Sequence, residues 1–512
     1  VAALAAVLAV AFYWRVSMRF PKSSDQINTI AAGLDLLTGN WRLHAWTLTA
    51  PNFYTSDLWL SALLGGLLRL GGVHRVVEVL LSLQPAVTWT GIVGLSIHLA
   101  WRSAVTGREK LGAALLVLAA LGVPVFAGGF AAALLLHSAI HLGSVAYCLL
   151  AFLLAARAAE RPSRWTLCGI GVALALGSFG DPLVLFVGLA PILSLPLARR
   201  GCWPMVAAAL AGAVAGRALL VLNEATGGFS YQHLSLVFAT FGELAANTAA
   251  CAHDFLDLWS ADFTGRPVIS ALPFLVHLPL AVLAIHYLCR AVIRFYRAAR
   301  GARDRSMPVL PIVLCVGAAV NVGAAIFSDR FGLEQGTLAT GRYLFPAFIY
   351  SAVMLAMMVG SRRSAQAMAA LALGASLVAL PRGLFGAPPD IVPPAQRHVV
   401  AWLEQHAPPR GIGAYFASSS IQLASGDRLL VRPGVAWPTD IVQPDCLIGR
   451  PFTFAPIVAD DFFVLIPPSV SSFSETDAVA TWGRPAERDL VSGYVVLIYR
   501  HPYAASRPGP KS

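Results

Sequence analysis

Long apolar runs, separated by short basic breaks and a few longer polar ones, fill the first 381 positions of the chain. The runs fall near residues 1–16, 57–73, 76–101, 111–128, 142–158, 165–180, 183–198, 202–222, 270–293, 308–327, 342–360 and 365–381. Each approaches the roughly 20 residues that cross about 30 Å of hydrocarbon as a helix, so the pattern predicts about twelve spans. The run 57–73 is interrupted by glycines, and the stretch 128–141 is a candidate re-entrant segment. The opening run from Val1 to Trp14 is short for a span, so either residues precede Val1 or flanking anchors hold it. It lacks the basic n-region and small-residue cleavage site of a secretory signal.

After Pro381 the pattern changes. Prolines and glycines cluster through PRGLFGAPPDIVPP, and the remainder alternates over short distances. HVVAWLEQH and SETDAVATWG read as helices; RLLVRPG, FFVLIPP and YVVLIYRHP read as strands. The expected division is therefore a membrane-embedded part, 1–381, with a polar first loop at 17–56, and a small soluble α/β domain, 382–512.

Composition agrees with this division and charge orients it. Of 512 residues 57% are hydrophobic and 12% charged, and the mean hydropathy is +0.68, well outside the range of soluble domains. The net charge of +11 does not point to nucleic acid, because sixteen basic and three acidic residues sit in the short breaks around 102–110, 157–164, 199–200, 290–305 and 362–363. Their net +13 exceeds the whole chain's excess, the distribution of a positive-inside protein. The longer breaks at 17–56, 129–141, around Asp181, at 223–269, at 328–341 and from 382 onward then share the external face. They hold most of the acids and histidines, so the external face is read as the working one.

Within the first loop, Asp25 opens a segment whose apolar positions Ile27, Ile30, Ala31, Leu34 and Leu37 recur at helical spacing. That predicts an amphipathic helix over 25–37 lying along the membrane surface, with Ser23, Ser24 or Asp25 as its cap. Asp25 reads either as that cap or as a general base at headgroup level. Asp181, in GSFGDPL, has no room for a long loop and reads either as an Asp-Pro turn or as an acid facing a polar site. His137 and His141 lie four apart, the spacing of one helical face, and suit contact with a polar ligand better than a metal site. In SDRFGLEQGTLATGRYLFPAF, Arg330, Arg342 and Tyr343 precede a late span; arginine suits a phosphate, and an interfacial anchor is the alternative. Lys22, His44 and Asp57 complete the candidate substrate-binding residues. Glu224, His233, Asp254 and Asp257 of the 223–269 loop remain unranked.

These features together resemble the GT-C superfamily of polytopic glycosyltransferases, which includes the protein O-mannosyltransferases and the lipid A aminoarabinose transferases. The resemblance rests on the early acid in SSDQINTIAAGLDLLTGN, the surface helix after it, the SFGDPL turn, the GRYLFP entry into a late span and the C-terminal domain. It implies an inverting transfer from a polyprenyl-phosphate sugar to a glycan, lipid or protein acceptor outside the plasma (inner) membrane. By the same resemblance Asp25 takes the base role, and Arg342 with Arg330 steadies the departing lipid phosphate. Several of these families carry an Asp-Glu pair where this chain has Asp25-Gln26, which leaves a second acid's role vacant or filled by Asp57 or Asp181. No nucleotide-binding motif is present, no cofactor is called for, and a divalent metal stays open. A lipid or glycan flippase and a non-catalytic scaffold are the competing classes, though charged residues are scarce within the spans.

Overall fold

The computed structural model describes residues 2–20, 22–123, 134–233, 237–301, 307–329, 340–378, 392–436, 442–444, 448–449, 461–468 and 472–500. Among these, six helices are long and apolar enough to cross a membrane: Val76–Trp101, Leu142–Glu160, Trp203–Ala225, Val268–Arg300, Val309–Phe327 and Thr340–Val359, the last including a 3-10 turn at its start. Three shorter apolar helices, Ala3–Ser17, Arg164–Gly180 and Leu185–Ala198, accompany them.

The other expected runs also carry helices. Trp59–Leu70 has 12 residues and Arg363–Val378 has 16. The first continues directly from a wider helical turn at Tyr54–Leu58, and at about 1.5 Å per residue the two together cover roughly 25 Å, a little under a hydrocarbon core. The run at 111–128 begins as Gly107–Val117 and continues through a wider turn at Leu118–Gly122.

A single large apolar core joins these helices, with Trp89, Phe152, Phe345, Phe348 and Tyr350 fully buried in it. Small residues let two helices come close: a Cβ on Gly212 of Trp203–Ala225 would lie 2.1 Å from the carbonyl oxygen of Gly171 in Arg164–Gly180. That is the close backbone approach by which helices associate where no hydrophobic force separates them from lipid.

From residue 22 on, the first loop is folded. Its helix spans Ser24–Asp35, followed by a short 3-10 turn and the strand β1 (Thr47–Leu48), which pairs in parallel with β2 (Ser230–Tyr231). The C-terminal part forms a six-stranded sheet from β3 (Arg410–Ala414), β4 (Leu430–Val435), β5 (Gln443–Pro444), β6 (Asp461–Ile466), β7 (Glu487–Val491) and β8 (Tyr494–Arg500), in the order β5-β4-β3-β6-β8-β7. β3 runs parallel to both neighbours, β4 and β6, with Ile412 opposite Val464, and the outer pairings are antiparallel. Helices Pro394–His406 and Tyr415–Ala424 cover one face, burying Val399, Leu403, Ala417 and Ile421 against Phe463 and Val496.

The sheet part is fastened to the first loop at two places. Thr47 and Gly449 exchange both backbone hydrogen bonds, at 3.1 and 2.9 Å. The helix Tyr415–Ala424 packs on Ser24–Asp35, where Ser24 Oγ donates to the Tyr415 carbonyl at 2.6 Å and Ser419 Oγ donates to Asn28 Oδ1 at 3.0 Å. The first-loop helix is consequently buried on most sides, including Ser24, Gln26, Asn28 and Thr29. Of its expected apolar positions Ile27, Ile30 and Leu34 are buried and Ala31 is half-buried, while Leu37, beyond the helix end, is exposed; its polar face, expected toward solvent, is covered.

Candidate active site

The first-loop helix is capped without help from Asp25. Ser23 is the N-cap, its Oγ accepting from the Gln26 backbone N–H at 3.4 Å while Gln26 Oε1 accepts from the Ser23 N–H at 3.1 Å. This reciprocal box satisfies two of the donors a helix start leaves open. Gln26, the residue that stands where a second acid was sought, serves the cap. The Asp25 carboxylate is left for other partners: Tyr415 Oη donates to its Oδ1 at 2.7 Å. Burial raises the Asp25 pKa above the usual carboxylate value, and the Tyr415 hydrogen bond and the positive charge of Arg342 oppose that rise.

Arg342 sits in the 3-10 turn Thr340–Leu344, directly before the apolar helix Phe345–Val359. The turn is braced by Asn321, whose side chain donates to the Tyr343 carbonyl at 2.8 Å and accepts from the Ala347 N–H at 3.0 Å. Arg342 Nη2 donates to Tyr343 Oη at 2.9 Å, and the guanidinium carbon lies 4.9 Å from the centre of that ring. Stacking on an aromatic ring holds the planar fork in one orientation.

Tyr343 in turn faces His141, with ring centres 5.7 Å apart. His141 Nδ1 donates to Asp181 Oδ2 at 2.7 Å, with Asp181 only 1% and His141 7% exposed. Asp181 Oδ1 also accepts from the Leu183 N–H at 2.9 Å. Burial works against a charge on Asp181, but His141, Ser144 and the Leu183 amide outweigh it and hold the carboxyl below its usual range. Asp57, 4% exposed, accepts from Gln84 Nε2 at 2.8 Å, the Ala139 N–H at 3.2 Å and Ser56 Oγ at 2.9 Å.

The expected helical face for His137 and His141 is not formed. Residues 136–141 are irregular, with Ala139 at φ 62° and His141 at φ 49°. Left-handed backbone costs an L-residue roughly 1–3 kcal/mol, and such strain gathers where a site needs an unusual trajectory. Here it lets one short strap serve three elements. The Leu136 carbonyl accepts from Ser17 Oγ at 3.0 Å, the Ala139 N–H reaches Asp57, and His141 reaches Asp181. A close approach seals the strap's exit: a Cβ on Gly143 would lie 2.4 Å from Ser56 Cβ and 3.3 Å from Asp57 Oδ2.

Lys22 adjoins the first end of this strap, its Nζ donating to the Ser17 carbonyl at 2.7 Å and to Ser17 Oγ at 3.0 Å. Burial pushes the Lys22 ammonium down to about 7.

Eight of the expected residues thus fall into one region: Asp25 within electrostatic reach of Arg342, Arg342 with Tyr343, Tyr343 with His141, His141 with Asp181, and Asp57, Lys22 and His137 on or tied to the strap. His44 does not join it. It is exposed near the other end of the first-loop helix, its Nδ1 on the Gly227 carbonyl at 2.8 Å and its backbone N–H on Asn40. Arg330 lies outside the described residues. Among the described residues no group of three or more His, Cys, Asp or Glu side chains is placed to hold a metal ion. Tyr415 is a member of the region that local sequence patterns do not reveal. In the structure it follows β3, a strand of a parallel set, and side chains at carboxyl ends of parallel strands commonly face ligands.

No protein-family model matches the chain, and no curated protein sequence matches it. Among solved structures, the crystal structure of ArnT from Cupriavidus metallidurans bound to undecaprenyl phosphate is similar over 97% of this chain and 97% of that chain, at 12% identity and a TM-score of 0.43.

Proposed function

We propose that this protein is a membrane glycosyltransferase that moves a sugar from a polyprenyl phosphate to an acceptor on the external side of the plasma membrane. The observation that carries the reading is Asp25, a carboxylate that does no capping work and is held by Tyr415, within electrostatic reach of Arg342 at the head of an apolar helix. A phosphate tethered to a lipid meets a protein at such a helix head, and a fixed guanidinium neutralises the charge that grows on it as the sugar leaves.

In this mechanism Asp25 accepts the proton of an acceptor hydroxyl as that oxygen attacks the anomeric carbon. The carbon–oxygen bond to the phosphate breaks on the opposite face, and its electron pair stays on the phosphate, beside Arg342 with Lys22 as a second cation. The products are an inverted glycoside, a polyprenyl phosphate and protonated Asp25, which returns its proton to water. The buried His141–Asp181 pair orients Tyr343 and so the Arg342 fork; Asp57 fixes the strap. In this reading residues 1–381 form the membrane part and 382–512 an external domain that closes over the first loop.

The buried His141–Asp181 pair is also what a proton-coupled transporter would use. It sits in the turn after Gly180 instead of partway along a span, which favours the transferase. A structure of the full chain with undecaprenyl phosphate tests the reading. Phosphate density within hydrogen-bond reach of Arg342 and on the Asp25 side supports it; phosphate density remote from both contradicts it.

A further inference from the structure

We infer that Tyr415 is a positioning residue for the reaction, supplied by the C-terminal sheet part, and that the first-loop base is complete only with that part docked. The inference rests on the transferase reading above. It starts from a placement that packing alone does not require. Tyr415 leaves the carboxyl end of β3, its carbonyl is held by Ser24 at 2.6 Å, and its hydroxyl ends 2.7 Å from Asp25 Oδ1. The ring is nearly fully buried at 1% exposed, so the hydroxyl is fixed at both ends of the side chain. A phenol in that position does two things for a carboxylate base. It selects one rotamer, leaving Oδ2 as the oxygen that can take a proton, and it stabilises the ionised form against burial.

Among the described residues, the charged and titratable groups that act on this carboxyl are Arg342 and Tyr415. Arg342 faces it from the 3-10 turn and Tyr415 from the sheet side. Lys22, three residues earlier, directs its ammonium to Ser17. Asp57, on the turn packed against the same helix, is occupied by Gln84, Ser56 and Ala139. Among the described residues Tyr415 is the group of the C-terminal part that acts on the base. The second contact between the same two helices, Ser419 to Asn28, does not touch Asp25 and provides an internal control.

The test uses the full chain in lipid nanodiscs with a panel of undecaprenyl-phosphate-linked pentoses and hexoses and cell-envelope extract as acceptor, following release of undecaprenyl phosphate against pH. For Tyr415→Phe, kcat falls about 3- to 30-fold with little change in donor KM, and the acid limb of the kcat profile moves up by about one pH unit. A fluorotyrosine placed at position 415, a stronger donor of the same shape, moves that limb down. Ser419→Ala leaves the limb in place. An unshifted limb in both position-415 variants overturns the inference, as does an equal shift in Ser419→Ala, which would assign the effect to docking alone. Should Asp25→Asn turn over at the unmodified rate, the transferase assignment of Asp25 fails first; an inactive Asp25→Asn beside an unshifted Tyr415→Phe fails the inference alone.

Discussion

The Asp25 carboxylate and the Tyr415 hydroxyl, 390 positions apart, meet in a hydrogen bond of 2.7 Å. That contact joins the loop following the first helix to the sheet part near the far end of the chain. With Ser23 and Gln26 serving the helix cap, it leaves Asp25 as an acid whose environment is set by the tertiary fold.

Arg342 is held as a fork, by its bond to Tyr343 Oη and by the ring beneath it. Arg342→Lys keeps the charge and loses the planar geometry, so kcat is expected to fall about 10- to 100-fold, and Arg342→Gln further. Steady-state kinetics on both variants checks this; equal rates for arginine and lysine would reduce the residue to a point charge.

His141 is the partner that keeps Asp181 ionised in a buried turn. Removing one member of such a pair costs about 3–5 kcal/mol. His141→Ala is therefore expected to lower the thermal midpoint in detergent markedly, and His141→Ala with Asp181→Leu to recover part of the loss. A midpoint unchanged in the single variant would show that the pair bears no load.

Gly143 has no space for a side chain beside Ser56 and Asp57. Gly143→Ala is expected to cost about 1–3 kcal/mol by overpacking and to loosen the first loop. Hydrogen exchange over residues 53–58 reads the loosening directly; exchange identical to the unmodified protein would contradict it.

On the proposed mechanism, with Asp25 as base and Lys22 as a cation for the phosphate, the pH dependence of kcat/KM should be bell-shaped. Asp25 must be ionised to accept a proton, and its pKa is raised, so the acid limb lies above the usual carboxylate range. Lys22 must be protonated to attract phosphate, and burial brings it to about 7, so the basic limb begins near there. Lys22→Arg, which keeps its charge, is expected to remove the basic limb and leave the acid one.

Much of the fold was legible as periodicity. The Ser24–Asp35 helix was expected at 25–37, and the helices and strands at HVVAWLEQH, RLLVRPG, FFVLIPP, SETDAVATWG and YVVLIYRHP all form. Each writes its burial pattern locally. Span lengths were less legible, because hydropathy alone does not say where a helix stops: Leu70 is followed by two glycines, and the helical run that begins at Tyr54 ends there. The i, i+4 spacing of His137 and His141 misled, since nothing local announces left-handed backbone at Ala139. Tyr415 was hidden for a further reason. In GAYFASSSIQLA the serines weaken the helical signal, and the partner that gives the residue meaning lies in the first loop, beyond any window of local pattern.

The most direct test of the account is turnover by purified full-length Asp25→Asn with the same undecaprenyl-phosphate sugar panel and acceptor extract, alongside its thermal midpoint. The account predicts a loss of about 10²- to 10⁴-fold in kcat with a folded protein and retained undecaprenyl phosphate binding, because the amide cannot accept the proton while the cap and Arg342 remain. Turnover at the unmodified rate would contradict it.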